Sequence, residues 1–145
     1  MIDDLYNMDI LTLSSGLESG RLDNPHGSAR EVSKLCGSEF EIDVKVDGDK
    51  VAEVALRVQA CALGQSSAAI LQEAIIGASL AEVKDARDAL RAMLKEGGPP
   101  PKGRFEKLAL LAGVKDYPAR HTSTMLAFEA AVKAIEAALE HGSFA

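Results

Sequence analysis

The residues best suited to chemistry are two cysteines, Cys36 in Leu35-Cys36-Gly37-Ser38 and Cys61 in Gln59-Ala60-Cys61-Ala62. Each stands where a β-rich stretch gives way to something else. Iron–sulfur and structural zinc sites generally take four protein ligands, mostly thiolate. Two thiols with no third cysteine in the chain furnish half of such a set. Cys61 also stands just ahead of an expected helix N-terminus, where unpaired N–H groups favour a thiolate or a bound anion. Against this, both cysteines read equally well as small fillers of a packed interior.

His121 is the next candidate, in Ala119-Arg120-His121-Thr122-Ser123-Thr124. A single histidine in the first turn of a helix reads first as a surface or capping residue and second as a metal ligand. Arg120 beside it would raise the local potential and steady a thiolate or a bound sulfur species. His26 and His141 have weaker claims, one in a polar loop and one in the C-terminal turn. No glycine-rich loop with a following Lys offers a phosphate cradle, no histidine pair has helical metal spacing, and no Gly-x-Ser-x-Gly elbow is present. Ser66-Ser67 reads as helix capping rather than as a nucleophile.

These side chains must be positioned by a strand pair and the helices after it. Phe40, Ile42, Val44 and Val46 alternate with Glu39, Glu41, Asp43 and Lys45, the pattern of a strand with one buried face. Asp47-Gly48-Asp49-Lys50 is turn chemistry. The return strand carries Val54, Leu56 and Val58 inward. A hairpin closed about Gly48 brings residues near 36 and 60 opposite one another, so the two sulfurs are expected at one edge of the sheet. An N-terminal helix is expected over residues 3–13, with Asp3 or Asp4 favouring its first turn and Tyr6, Ile10, Leu13 and Leu17 on one side. Residues 14–30 read as loop, with a short extended piece near residues 29–35.

After Cys61 a helix is expected to about Ile76, stopped by Gly77. Ser79-Leu80-Ala81-Glu82 is a capping box opening a helix to about Leu94. Gly97-Gly98-Pro99-Pro100-Pro101 stops it. A short helix through Phe105, Leu108 and Leu111 follows. The last helix runs from about Pro118 to Glu140, with Met125, Phe128, Val132, Ile135 and Leu139 inside. The expected fold is one α+β domain over residues 1–145, a small antiparallel sheet of about three strands with helices packed on one face.

The chain has 145 residues, enough for a core without staples. Its net charge of −6 argues against a nucleic-acid surface. No apolar run approaches membrane-spanning length and no basic leader is present, so a cytoplasmic protein is expected. In a reducing compartment the cysteines are free or ligating; in an oxidising one a Cys36–Cys61 disulfide is the alternative. The abundant alanine of the second half suggests closely packed helices.

At these residues the sequence resembles the U-type iron–sulfur cluster assembly scaffolds, the NifU N-terminal, IscU and SufU family, over almost its whole length. Asp4-Leu5-Tyr6-Asn7 with Ile10-Leu11 is similar to the family's first helix, and Gly20-x-Leu22 to the loop after it. Cys36-Gly37 resembles the first ligand motif, Cys-Gly-Asp. Ala60-Cys61-Ala62 with Ser66-Ser67-Ala68 resembles the second. The run from Gly113 through Val114, Tyr117, Pro118 and Ala119 to Arg120 is similar to the stretch before the third cysteine. That run and the extra segment 97–112 point to the SufU-like branch. Ser38 stands where the family has Asp, Ser123 where it has its third cysteine, and Thr122 where it has Lys. The proline–arginine–asparagine loop, with the histidine ahead of it, is absent.

The resemblance implies a SufE/NifU-like fold and a non-enzymatic role. The protein would be a scaffold or sulfur acceptor using Cys36 and Cys61, with a cysteine desulfurase as partner. It would carry a labile iron–sulfur cluster, with zinc the less favoured cargo because a serine hydroxyl is a far poorer ligand than thiolate. Two copies would supply four sulfurs. His121 lies two residues before the altered position, about 200° around an ideal helix. It therefore reaches the site only through an irregular turn. The alternatives are a scaffold paralogue that carries no cluster and acts by binding or regulation, and a Cys36–Cys61 redox switch.

Overall fold

The structure is a computed structural model that describes residues 7–34 and 37–140. The expectations placed on Asp3, Asp4, Tyr6, Cys36 and His141 lie outside the described residues. Helix α1 (Met8–Ser15) is capped by Asn7, whose side chain accepts from the Ile10 N–H. Three strands follow, β1 (Gly27–Ser33), β2 (Ser38–Asp47) and β3 (Lys50–Gln59), antiparallel in the order β1-β2-β3. Gly48, at φ +63°, closes the β2–β3 turn. This hairpin is the one its alternation predicts: Phe40, Ile42, Val44 and Leu56 are sealed on the helix side. A register shift between Lys45 and Val46 is secured by His26, whose Nδ1 accepts the Val46 N–H at 3.0 Å.

Helix α2 (Ala62–Ala74) starts directly at Cys61, and α3 (Leu80–Glu96) opens on the expected capping box of Ser79 and Glu82. Gly97, at φ +71°, ends α3 in the left-handed conformation. Residues Gly103–Asp116 form a kinked 3-10 segment, a second short turn spans Pro118–Arg120, and α4 (His121–Glu140) completes the chain.

Helix α4 is the centre of the domain. It packs on β1 and β2 along one side and is flanked by α2 and α3. The expected five-residue stripe is therefore too narrow, for α4 also buries Ala127, Ala130, Ala131, Ala134 and Ala138. Small side chains let three neighbours approach one helix. Gly27 shows how close they come: a Cβ there would run into the Ala134 carbonyl and stand 2.7 Å from the Ala138 nitrogen. Phe128 meets Phe105 of the 3-10 segment edge to face, with ring centres 5.5 Å apart.

Ser66 and Ser67 do not cap α2, whose N-cap is Cys61. The Ser66 hydroxyl lies 2.8 Å from the Ile10 carbonyl oxygen and 2.7 Å from that of Ala62, so its one proton is shared between them and ties α1 to α2. Correcting the capping expectation follows from register: Ser66 lies a full turn inside the helix, where an i−4 carbonyl is the nearest acceptor.

Candidate functional site

Three element starts converge on one point. The β2–β3 register, with Glu39 opposite Gln59, carries the open end of the hairpin to Cys61. Cys61 is the last extended residue before α2, at φ −68° and ψ 170°, and its side chain makes no capping bond. Its Sγ instead stands 3.5 Å from Ser123 Oγ, in the first turn of α4. Ser38 Oγ, at the start of β2, lies 3.4 Å from the same Ser123 oxygen. The first separation is ordinary for a hydroxyl and sulfur; the second is long for two hydroxyls. Ser123 is 1% exposed and Ser38 3% exposed, whereas Cys61 is half-buried. A half-buried cysteine is thus backed by a sealed hydroxyl, with a second sealed hydroxyl behind it.

Gly64 makes this convergence sterically possible. A Cβ there would sit 2.9 Å from Ser123 Oγ and 2.8 Å from Ala60 Cβ. Sequence reasoning did not single it out, although a glycine in a helix's first turn is a signal of close approach.

The other candidates stand apart from this point. His121 is buried, and its Nε2 lies 3.0 Å from the Val114 carbonyl oxygen and 3.1 Å from that of Lys115. Both partners are acceptors, so Nε2 carries the proton. The buried Nδ1 has no partner among the described residues. His121 also borders a cleft of about 280 Å³ between β1, α3 and α4, and Ser123 does not line that cleft. Arg120 is half-buried, and its carbonyl accepts from the Thr124 hydroxyl at 2.8 Å. Its guanidinium has no ion-pair partner among the described residues.

Among the described residues no group of three or more His, Cys, Asp and Glu side chains is placed to hold a metal ion. A resident zinc does not fit the described donors. Ser38 and Ser123 bring no charge, and each would have to give up a tightly held proton to ligate as an anion.

Residues 14–137 match the model of the NifU-like N terminal domain. The chain is 29% identical over 121 residues to the iron–sulfur cluster assembly scaffold protein IscU of Streptococcus pyogenes serotype M1, covering 83% of this chain and 70% of that protein. It is 26% identical over 133 residues to the IscU scaffold protein of Thermotoga maritima, covering 91% and 93%. Among solved structures, a nitrogen-fixing NifU-like protein (N-terminal) from Brucella abortus superposes with a TM-score of 0.93 at 43% identity, covering 96% of this chain and 97% of that one. A putative scaffold protein for the SUF system from Fervidobacterium islandicum gives 0.83 at 25% identity, covering 91% and 97%. With its α+β core, its hairpin leading into Cys61, and a family match running from α1 into α4, the chain belongs to the NifU-like N-terminal domain family.

Proposed function

We propose that this protein is a non-catalytic scaffold of iron–sulfur cluster assembly. Cys36 and Cys61 hold a labile cluster as cargo or take up sulfur as a persulfide, supplied by a cysteine desulfurase in the cytoplasm. The observation that supports the reading is that Ser123 stands beside both Cys61 and Ser38, and the resemblance puts the two serines at the other ligand positions of the family pattern. Its relatives bear the name of cluster assembly scaffolds. No described helix is long and apolar enough to cross a membrane.

Sulfur uptake needs no external oxidant. The Cys61 thiolate attacks the outer sulfur of a donor persulfide. A new S–S bond forms as the donor's S–S bond breaks, and the donor leaves as a thiolate that takes up a proton. Two copies of the chain would supply four thiolates for a shared cluster.

Anaerobic incubation with ferric iron, a thiol reductant and sulfide is expected to give a visible cluster absorbance that C36A and C61A each abolish. Protein that stays colourless, and gains no sulfur by mass spectrometry after treatment with a desulfurase and cysteine, would overturn the reading. That outcome would favour the second one, a paralogue acting only by binding, for which the two serines at ligand positions are the motivating observation.

A further inference from the structure

We infer that Ser123, backed by Ser38, determines what this site accepts: the two hydroxyls exclude a resident zinc ion and leave Cys61 free to take up sulfur. The inference rests on the scaffold reading and concerns this chain's own departures from the family pattern. Ser123 is the hub, within 3.5 Å of Cys61 Sγ and 3.4 Å of Ser38 Oγ. Its near-complete burial and the close approach of Gly64 hold the hydroxyl where it is.

Charge decides the selectivity. A divalent cation drawn out of water needs anionic ligands in compensation, and a closed site needs several of them. Ser38 and Ser123 are neutral, where Asp and Cys at the same positions would each add a negative charge. A hydroxyl has one proton to give. When Cys61 is a thiolate its sulfur can only accept, so Ser123 donates to it and in turn accepts from Ser38. The hydroxyl pair then serves an anionic sulfur and offers a cation nothing comparable.

The placement of the side chains survives although the ligand chemistry does not. Two thiolates on one tetrahedral zinc stand about 3.8 Å apart, close to the separation that Ser123 Oγ already keeps from Cys61 Sγ. Restoring the donors in place should therefore restore the affinity. Ser123 is in this sense a specificity residue, and the hydroxyl is its working part.

Competition with a chromophoric zinc chelator tests this on the full chain, with circular dichroism confirming the fold of each variant. The wild-type protein is expected to lose zinc to the chelator. S123C is expected to bind zinc at least ~10-fold more tightly and S38D/S123C at least ~100-fold more tightly. S123A should gain nothing in zinc affinity. Wild-type protein that keeps one zinc per chain against the chelator would overturn the inference, whether or not the variants fold. Cluster formation by zinc-retaining wild-type protein would leave the scaffold reading standing while this inference fell. Protein that stays colourless, gains no sulfur from a desulfurase and also loses zinc to the chelator would do the reverse.

Discussion

Ser66 and Ser67 are adjacent on α2, and their hydroxyls have opposite fates. Ser66 joins two elements through the Ile10 carbonyl, while Ser67 Oγ is buried with no partner among the described residues. A buried hydroxyl left unsatisfied forfeits its hydration without compensation, at a cost on the order of 1–3 kcal/mol. S67A removes that cost along with one small polar atom, so it should raise stability by about 1 kcal/mol in denaturant unfolding. A loss of stability instead would mean that the hydroxyl has a partner in solution. S66A should do the opposite, because it leaves the Ile10 carbonyl at α1 short of a donor. The chemistry of the site was only partly written in single residues. Cys61 stands out by its place before a helix, but only the family resemblance, and nothing in the spacing of 38, 61 and 123, brings Ser38 and Ser123 to the same point. That meeting depends on α4 lying beneath the hairpin's open end, a long-range contact without a local signal. His121 was ambiguous for a related reason, since its direction depends on carbonyls of the preceding 3-10 segment.

At the scale of elements, the α2–α4 contact is the one that assembles the site. G64A inserts a methyl group between Ala60 Cβ and Ser123 Oγ, and its third neighbour, the Ser123 carbonyl, is backbone at 3.3 Å. Helical φ/ψ suits alanine, so intrinsic propensity favours the change, yet overpacking of this kind typically costs about 1–3 kcal/mol. The expected net result is a destabilised protein whose Cys61 alkylation rate is also altered, because the displaced atom is the one beside its sulfur. An unchanged midpoint and an unchanged rate together would show that α2 can shift freely. Elements with local chemistry were the ones recoverable from sequence. The β2–β3 hairpin announced itself through strict alternation about Gly48, and α3 through Ser79 and Glu82. The C-terminal end of α2 was placed within about a turn, by Gly77. What holds that end was not foreseen: Arg104 donates to the carbonyls of Ala74 and Ile76, both at 2.9 Å, and pairs with Glu82. A C-cap supplied from the 3-10 segment, about thirty residues downstream, leaves no trace in the helix's own sequence.

The whole molecule is closed by a strap, residues 17–24, that sequence patterning could describe only as loop. Gly20 N–H donates to the Leu56 carbonyl, and Gln72 exchanges two hydrogen bonds of 2.9 Å with the Glu18 backbone. Asp43, on the sheet face away from the helices, is the anchor. Its carboxylate takes both Arg57 terminal nitrogens at 3.0 and 3.1 Å, the Ser28 hydroxyl at 2.8 Å and the Leu22 N–H at 3.1 Å. Arg57 reaches on to the Gly20 carbonyl at 2.9 Å. Burial pushes the Asp43 carboxyl up, but the Arg57 charge and the hydrogen bonds from Arg57, Leu22 and Ser28 together outweigh it and hold the carboxyl below the usual carboxylate range. A depressed native value means that the unfolded chain binds the proton more readily. The stabilisation is therefore complete above the unfolded value of about 4 and is lost as pH falls through the lowered native one. D43N should cost about 2 kcal/mol at pH 7, since it leaves the part-buried Arg57 without its main counter-charge. The decisive measurement is the difference between the two proteins in urea unfolding at a series of pH values. It should hold steady from pH 7 to about 5 and shrink below about 4, as the wild type gives up the same ion pair. A difference that persists undiminished to pH 2 would show that Asp43 supports the strap as a hydrogen-bond acceptor alone, with the charge contributing nothing.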